Sequence, residues 1–178
     1  YLKYYRAVLT PKVGVWDLGI GGQIWDGETH YTDAGVRERK VAEAWAIDAQ
    51  AQGNVGGLPL GAYLTYGKAD KTGAGVNAAI NLFNASTTDD RKAWTALVEL
   101  GVMPGKSTIA AAYRRGENGD VTDNVETATT IAATCLFAQN VQFMINHTWY
   151  GGSYYDLAAH NEGKAGDQRT TLMMFAAF

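Results

Sequence analysis

Val15-Trp16-Asp17-Leu18-Gly19-Ile20-Gly21-Gly22-Gln23-Ile24-Trp25 alternates with period two. The even positions read Trp16, Leu18, Ile20, Gly22 and Ile24, and the odd ones Val15, Asp17, Gly19, Gly21 and Gln23. Successive side chains of a strand point to opposite sides, so one apolar face and one polar or tiny face mark a half-buried strand. Two further stretches show the same period. In 58–66, Leu58, Leu60, Ala62, Leu64 and Tyr66 face Pro59, Gly61, Tyr63 and Thr65; in 141–149, Val141, Phe143, Ile145, His147 and Trp149 face Gln142, Met144, Asn146 and Thr148.

Outward from these three, 92–102, 108–114 and 126–138 alternate more weakly, and 2–9, 41–51 and 168–178 bring the expected strands to nine. The connections alternate in length. Short ones at 10–13, 53–57, 103–106 and 139–140 carry Pro, Gly and Asn, the residues of tight turns. Long ones at 26–35, 67–90, 116–125 and 151–167 are polar and charged. Tight turns alternating with long loops describe an up-and-down barrel. Two segments compete with this reading. Ser86-Thr87-Thr88-Asp89-Asp90 before an Ala/Leu-rich run ending at Gly101 reads as a capped helix over 87–101, and Val36-Arg37-Glu38-Arg39-Lys40-Val41-Ala42-Glu43-Ala44-Trp45 favours helix by propensity over 36–50. Helices there would make an α+β soluble domain.

Composition removes several classes. The 178 residues hold 47% hydrophobic and 19% charged residues, too apolar for disorder. Lys plus Arg is 15 against 18 Asp plus Glu, a net charge of −3, which argues against nucleic acid as partner. One cysteine, Cys135, excludes an internal disulfide framework. No apolar run reaches the length of a transmembrane helix, and the uncharged stretch 127–155 is broken by Gln139, Asn140, Gln142 and Asn146. The sequence opens at Tyr1 with neither Met nor an apolar leader, so a removed signal peptide or further upstream sequence is expected.

The closing Gln168-Arg169-Thr170-Thr171-Leu172-Met173-Met174-Phe175-Ala176-Ala177-Phe178 ends on an aromatic residue, with Ala176, Met174 and Leu172 at period two before it. This resembles the last strand of the bacterial outer-membrane porin-like β-barrel family, its C-terminal portion. The resemblance implies that Phe178 serves as an assembly signal. It also implies contact with the lipid bilayer and lipopolysaccharide, and a possible homo-oligomer, a trimer being common in that class. It places the short turns at the periplasmic side and the long loops outside, so the first strand runs downward. Nine strands are too few for a complete barrel of even strand number, so a single domain over 1–178 that is the C-terminal part of a longer barrel is expected; a genuine mature N-terminus at Tyr1 would refute that. Trp16, Trp45, Tyr66, Trp94, Tyr113 and Trp149 fall on the apolar register, as interfacial anchors should. The small residues Gly19, Gly21, Ala42, Ala44, Ala46, Ala110 and Ala112 fall on the other.

With that register, the candidate pore-lining residues are Arg6, Asp17, Gln23, Asp48, Glu99, Arg114, Asn146 and Arg169, joined by Gln50 and Gln142. Mixed charges along a lumen bias small solutes by field and size. The same charges pairing across a packed interior would give a plugged barrel instead. No catalytic constellation is expected and no cofactor or metal. His30, His147 and His160 lack ligand spacing, Gly19-Ile20-Gly21-Gly22 lacks the third glycine of a dinucleotide loop, and the acidic loop 117–124 lacks the spacing of a calcium-binding hand. The function expected is an outer-membrane channel for passive diffusion of small hydrophilic solutes or ions. A structural anchor for partner proteins and a soluble secreted β-rich or α+β binding domain are the alternatives.

Overall fold

A computed structural model describes residues 1–33, 35–74, 78–119, 124–156 and 168–176. These residues form one antiparallel sheet: β1 (Leu2–Leu9), β2 (Lys12–Val13), β3 (Trp16–Asp33), β4 (Val36–Val55), β5 (Leu58–Ala69), β6 (Ile80–Asn81), β7 (Arg91–Met103), β8 (Ser107–Glu117), β9 (Val125–Ala138), β10 (Val141–Gly151) and β11 (Gln168–Ala176), plus a 3-10 turn at Ser153–Asp156. The path β1-β3-β4-β5-β7-β8-β9-β10-β11 follows chain order, β2 flanks β3, and the short β6 lies parallel to β4. This is an all-β up-and-down meander of nine long strands. Its first and last strands, β1 and β11, do not pair with each other.

Three sequence expectations are corrected. The long loop at 26–35 is a hairpin: β3 and β4 stay paired up to Asp33↔Val36. Its polar residues satisfy one another across the strands, with Arg39 donating to Glu28 at 2.8 Å and Lys40 stacked 4.2 Å over the Tyr31 ring. The helix alternative at 36–50 therefore fails, because cross-strand pairing outweighs a propensity of tenths of a kcal/mol per residue. The alternative at 87–101 fails for another reason. The capping residues are used, but by a loop: Ser86 Oγ accepts the Thr88 N–H at 3.2 Å, and Asp90 Oδ1 accepts the Lys71 N–H at 3.1 Å. The strand begins only at Arg91.

The turns between β4 and β5 and between β7 and β8 match their sequence. Gly56 and Gly57 both take positive φ (59° and 84°), as a primed two-residue hairpin turn requires. At the opposite end β5 stops at Ala69, which frees the edge of β4 above it. The chain after β5 folds back onto that edge, where β6 pairs with Lys40 and Val41 and Leu82 N–H bonds the Val41 carbonyl at 2.8 Å. No second layer packs on the sheet among the described residues. Among the described residues, only Val41, Ala42, Ala46, Ala69 and Ala128 are buried apolar side chains.

Candidate functional site

The pairing register sorts every long strand into two faces. On one lie Ile20, Ile24, Ile47, Leu64, Val98, Ile109, Ile131, Ile145, Leu172 and Met174, all exposed. A soluble domain does not leave a contiguous apolar face of this extent in water. Aromatic rings bound the face at both ends. Towards the long loops, Trp45 meets Tyr66 and Trp94 meets Tyr113, with centroids 5.4 and 5.1 Å apart, and Trp149 continues the row. Towards the short turns, Phe137 meets Phe143 at 6.2 Å, and Trp16 lies over Gly53, where an added Cβ would sit 2.6 Å from the indole. From Trp45 to Gly53 is eight residues of β4, about 26 Å along a strand and about 20 Å of depth at a tilt of roughly 40°. Between the two rows, this face carries no Asp, Glu, Lys or Arg among the described residues. Its one ring with two polar nitrogens, His147, is bonded at both, to Thr170 at 2.7 Å and Gln168 at 3.2 Å.

The other face holds every candidate lining residue, distributed along the sheet and not gathered at one point. Arg6, Gln23 and Asp48 come together near β1, β3 and β4. Arg6 reaches Asp48 at 3.6 Å across the intervening β3. That reach depends on glycine: a Cβ on Gly21 would lie 2.6 Å from Asp48 Oδ2, and one on Gly19 would lie 2.8 Å from the Gln50 side chain. Asp17 stands at the turn end, bridged to Lys12 at 3.3 Å. Glu99 accepts the Tyr63 hydroxyl at 2.8 Å, and Gln52 donates to that hydroxyl at 3.1 Å. Arg114 pairs with Glu126 at the loop end. Asn146 sits opposite Ala132 and Thr171, Gln142 opposite Leu136 and Phe175, and Arg169 opposite Thr148. Hydroxyl ladders fill the space between charges, Thr108 to Thr134 at 2.6 Å and Thr130 to Thr148 at 2.8 Å. Phe178, the expected assembly signal, lies outside the described residues, as do His160 and residues 120–123 of the acidic loop 117–124.

A solved structure of OmpT (in-vitro folded), an outer membrane protein of Vibrio cholerae, matches this chain with a TM-score of 0.50 at 11% sequence identity. The fold is that of an outer-membrane β-barrel. The match covers 85% of this chain and 46% of that one, so the chain spans about half the length of the barrel it resembles. No family model and no curated protein matches the sequence.

In the barrel frame, three residues of the polar face were not named among the expected lining residues. Trp25 continues the odd register of β3 and so projects from the polar face, where its ring meets Tyr4 at 5.4 Å and Phe83 at 5.8 Å. Tyr63 and Glu126 also belong to the wall, as the partners of Glu99 and Arg114. Parity alone would have found all three. Nothing in the pattern pointed to the loop knot that places Phe83. Asn81 and Asn84, each 1% exposed, are the largest fully buried side chains among the described residues. Asn81 accepts the Glu43 and Phe83 N–H groups and donates to the Glu43 and Asp70 carbonyls, at 2.6–3.3 Å. Asn84 donates to the Ala69 and Asp89 carbonyls, and Thr72 donates to the Asn84 carbonyl at 2.7 Å. Ser86 Oγ reaches the Gly119 carbonyl, so the loops after β5 and β8 are joined.

Proposed function

We propose that this chain forms part of the wall of a porin-like channel in the bacterial outer membrane, through which small hydrophilic solutes or ions diffuse passively. One observation carries the reading: a single-layer sheet divides residue by residue into a charge-free, aromatic-bounded apolar face and a face of paired charges, amides and hydroxyls. In lipid every backbone polar group needs a partner within the protein, so only a closed sheet can span. In this reading the free edges of β1 and β11 are completed by further strands of the same barrel. The apolar face meets bilayer lipid and lipopolysaccharide, with a trimer as the assembly expected of the class, and the polar face borders water. A soluble secreted domain would need a second layer to cover the apolar face, and the described residues provide none.

The polar face supports an open passage over a filled one. Its charges pair with near neighbours along the wall, and many of its other positions carry alanine, glycine and threonine, which project little, between the larger side chains of Trp25, Leu97, Met144 and Met173. Arg169 is exposed on this face opposite Thr148, so in this reading its charge borders the passage. The test is conductance of the full protein in a planar bilayer under a salt gradient. Arg169→Glu should move the reversal potential towards cation preference, and Arg114→Glu should do so more weakly because Glu126 screens it. Ohmic current with an unchanged reversal potential in both variants would remove these residues from the passage, and no current at all would remove the channel.

A further inference from the structure

The barrel wall near β1 holds a feature that a water-filled passage for ions alone does not need. Trp25, Tyr4 and Phe83 form a row of tilted rings on the polar face, with interplanar angles of 41° and 55°. The rings are not packed away: Tyr4 is 49% exposed, and Trp25 and Phe83 are half-buried. Phe83 comes from the loop after β5, its own N–H held by Asn81 and its carbonyl by the Arg91 guanidinium at 3.3 Å, so the row is fixed from both sides. One rung towards the turn end, about 6.6 Å along the strands, lie Arg6 and Gln23, with Asp48 beside them. The two rungs are joined, since Tyr4 donates its hydroxyl to Gln23 Oε1 at 3.0 Å.

We propose that this aromatic shelf and polar floor form a subsite for neutral sugar rings at the loop-end mouth; this deepens the channel reading above and rests on it. A sugar ring presents a flat face of C–H groups with hydroxyls at its edge. The shelf offers flat apolar faces, and the floor offers a guanidinium, an amide and a carboxylate over two adjacent rungs. Charge decides against ionic solutes. Arg6 and Asp48 neutralise each other in place and Gln23 is uncharged, so the floor attracts neither an aromatic anion nor an organic cation.

The full protein is reconstituted in planar bilayers, and maltotriose is added on the loop side while current is recorded. Maltotriose should reduce the open-channel current saturably. Trp25→Ala should raise the half-blocking concentration roughly tenfold, the scale of one lost stacking face, and Phe83→Ala should raise it less. Trp149→Ala, on the lipid-facing row, should leave it unchanged. Should Trp25→Ala not fold, Phe83→Ala carries the comparison, because it alters a loop residue and not a strand. The subsite is overturned if maltotriose leaves the current untouched, if its block is equal in wild type and both shelf variants, or if benzoate blocks better than maltotriose. Failure of the channel reading looks different: no current appears, and the subsite is then read by tryptophan fluorescence in detergent micelles. There a maltotriose-dependent change lost in Trp25→Ala supports it, and no change overturns it.

Discussion

The spanning wall and the loop knot above it are held together in opposite ways. Across β3 to β11 the apolar side chains point outward, and the sheet is held by its backbone ladder with almost no buried apolar core. In the knot, by contrast, the buried side chains are polar: Asn81, Asn84 and Thr72, each saturated with hydrogen bonds to backbone. The wall depends on its surroundings for stability, because its apolar face gains only when lipid replaces water. The knot carries its own stability, because each buried amide has its partners inside the protein. Damage to one should therefore leave the other intact.

The largest effect should come from charging the apolar face. Ile131→Arg, midway between the aromatic rows, should cost about 2–4 kcal/mol of folding stability in lipid vesicles, measured by urea titration. Ala132→Arg, one residue along and on the opposite face, should fold nearly as wild type and alter conductance instead. Equal costs at the two positions would erase the distinction between faces.

Asn81→Ala strikes the knot. It strands the Glu43 and Phe83 N–H groups and the Glu43 and Asp70 carbonyls, at about 1–3 kcal/mol for each group left buried and unpaired. Hydrogen exchange should accelerate at the Glu43 and Phe83 amides and stay slow through 60–68 of β5. Acceleration along the whole of β5 would mean that knot and wall are one cooperative unit.

Much of this division was legible in the sequence and some was not. The faces of β3, β5 and β10 follow from period two, since an apolar side chain on the wrong face would meet water and a charge on the wrong face would meet lipid. The candidate lining residues were placed on one side by the same rule. The hairpin at 27–33 and 36–43 was not legible, because it stands beyond the aromatic row where, apart from Val41 and Ala42 beneath the loop after β5, none of the described side chains is buried, and the alternation that marks a half-buried strand vanishes. The capping signal at Ser86 to Asp90 was misleading because turns and helix starts use the same side-chain-to-backbone bonds. The knot itself left no pattern, since its bonds run from side chains to distant backbone.

Smaller effects probe each region separately. Gly21→Ala should push Asp48 away from Arg6 for under about 1 kcal/mol, because only the end of a flexible side chain must move. Its signature is a changed ion selectivity in bilayers; selectivity equal to wild type would show that the Arg6–Asp48 pair does not border the passage. Acid should reach the knot before the wall. The Lys68 ammonium, 2.8 Å away, and then the Lys71 N–H hold the Asp90 carboxyl below the usual carboxylate range. A lowered pKa adds stability that is present above about pH 4 and is lost as the pH falls through the lowered value. Hydrogen exchange at Lys71 should therefore quicken in acid. Asp90→Asn should abolish that pH dependence, and its persistence would exonerate the carboxyl.

The central claim is that consecutive residues of one strand face lipid and water in turn. A cysteine scan along β10 in a Cys135→Ser background, using the protein in lipid vesicles and a membrane-impermeant maleimide, tests it directly. Cysteines at Gln142, Met144, Asn146 and Thr148 should label, and those at Phe143, Ile145, His147 and Trp149 should be protected. Labelling that does not alternate, or that favours the second set, would contradict the account.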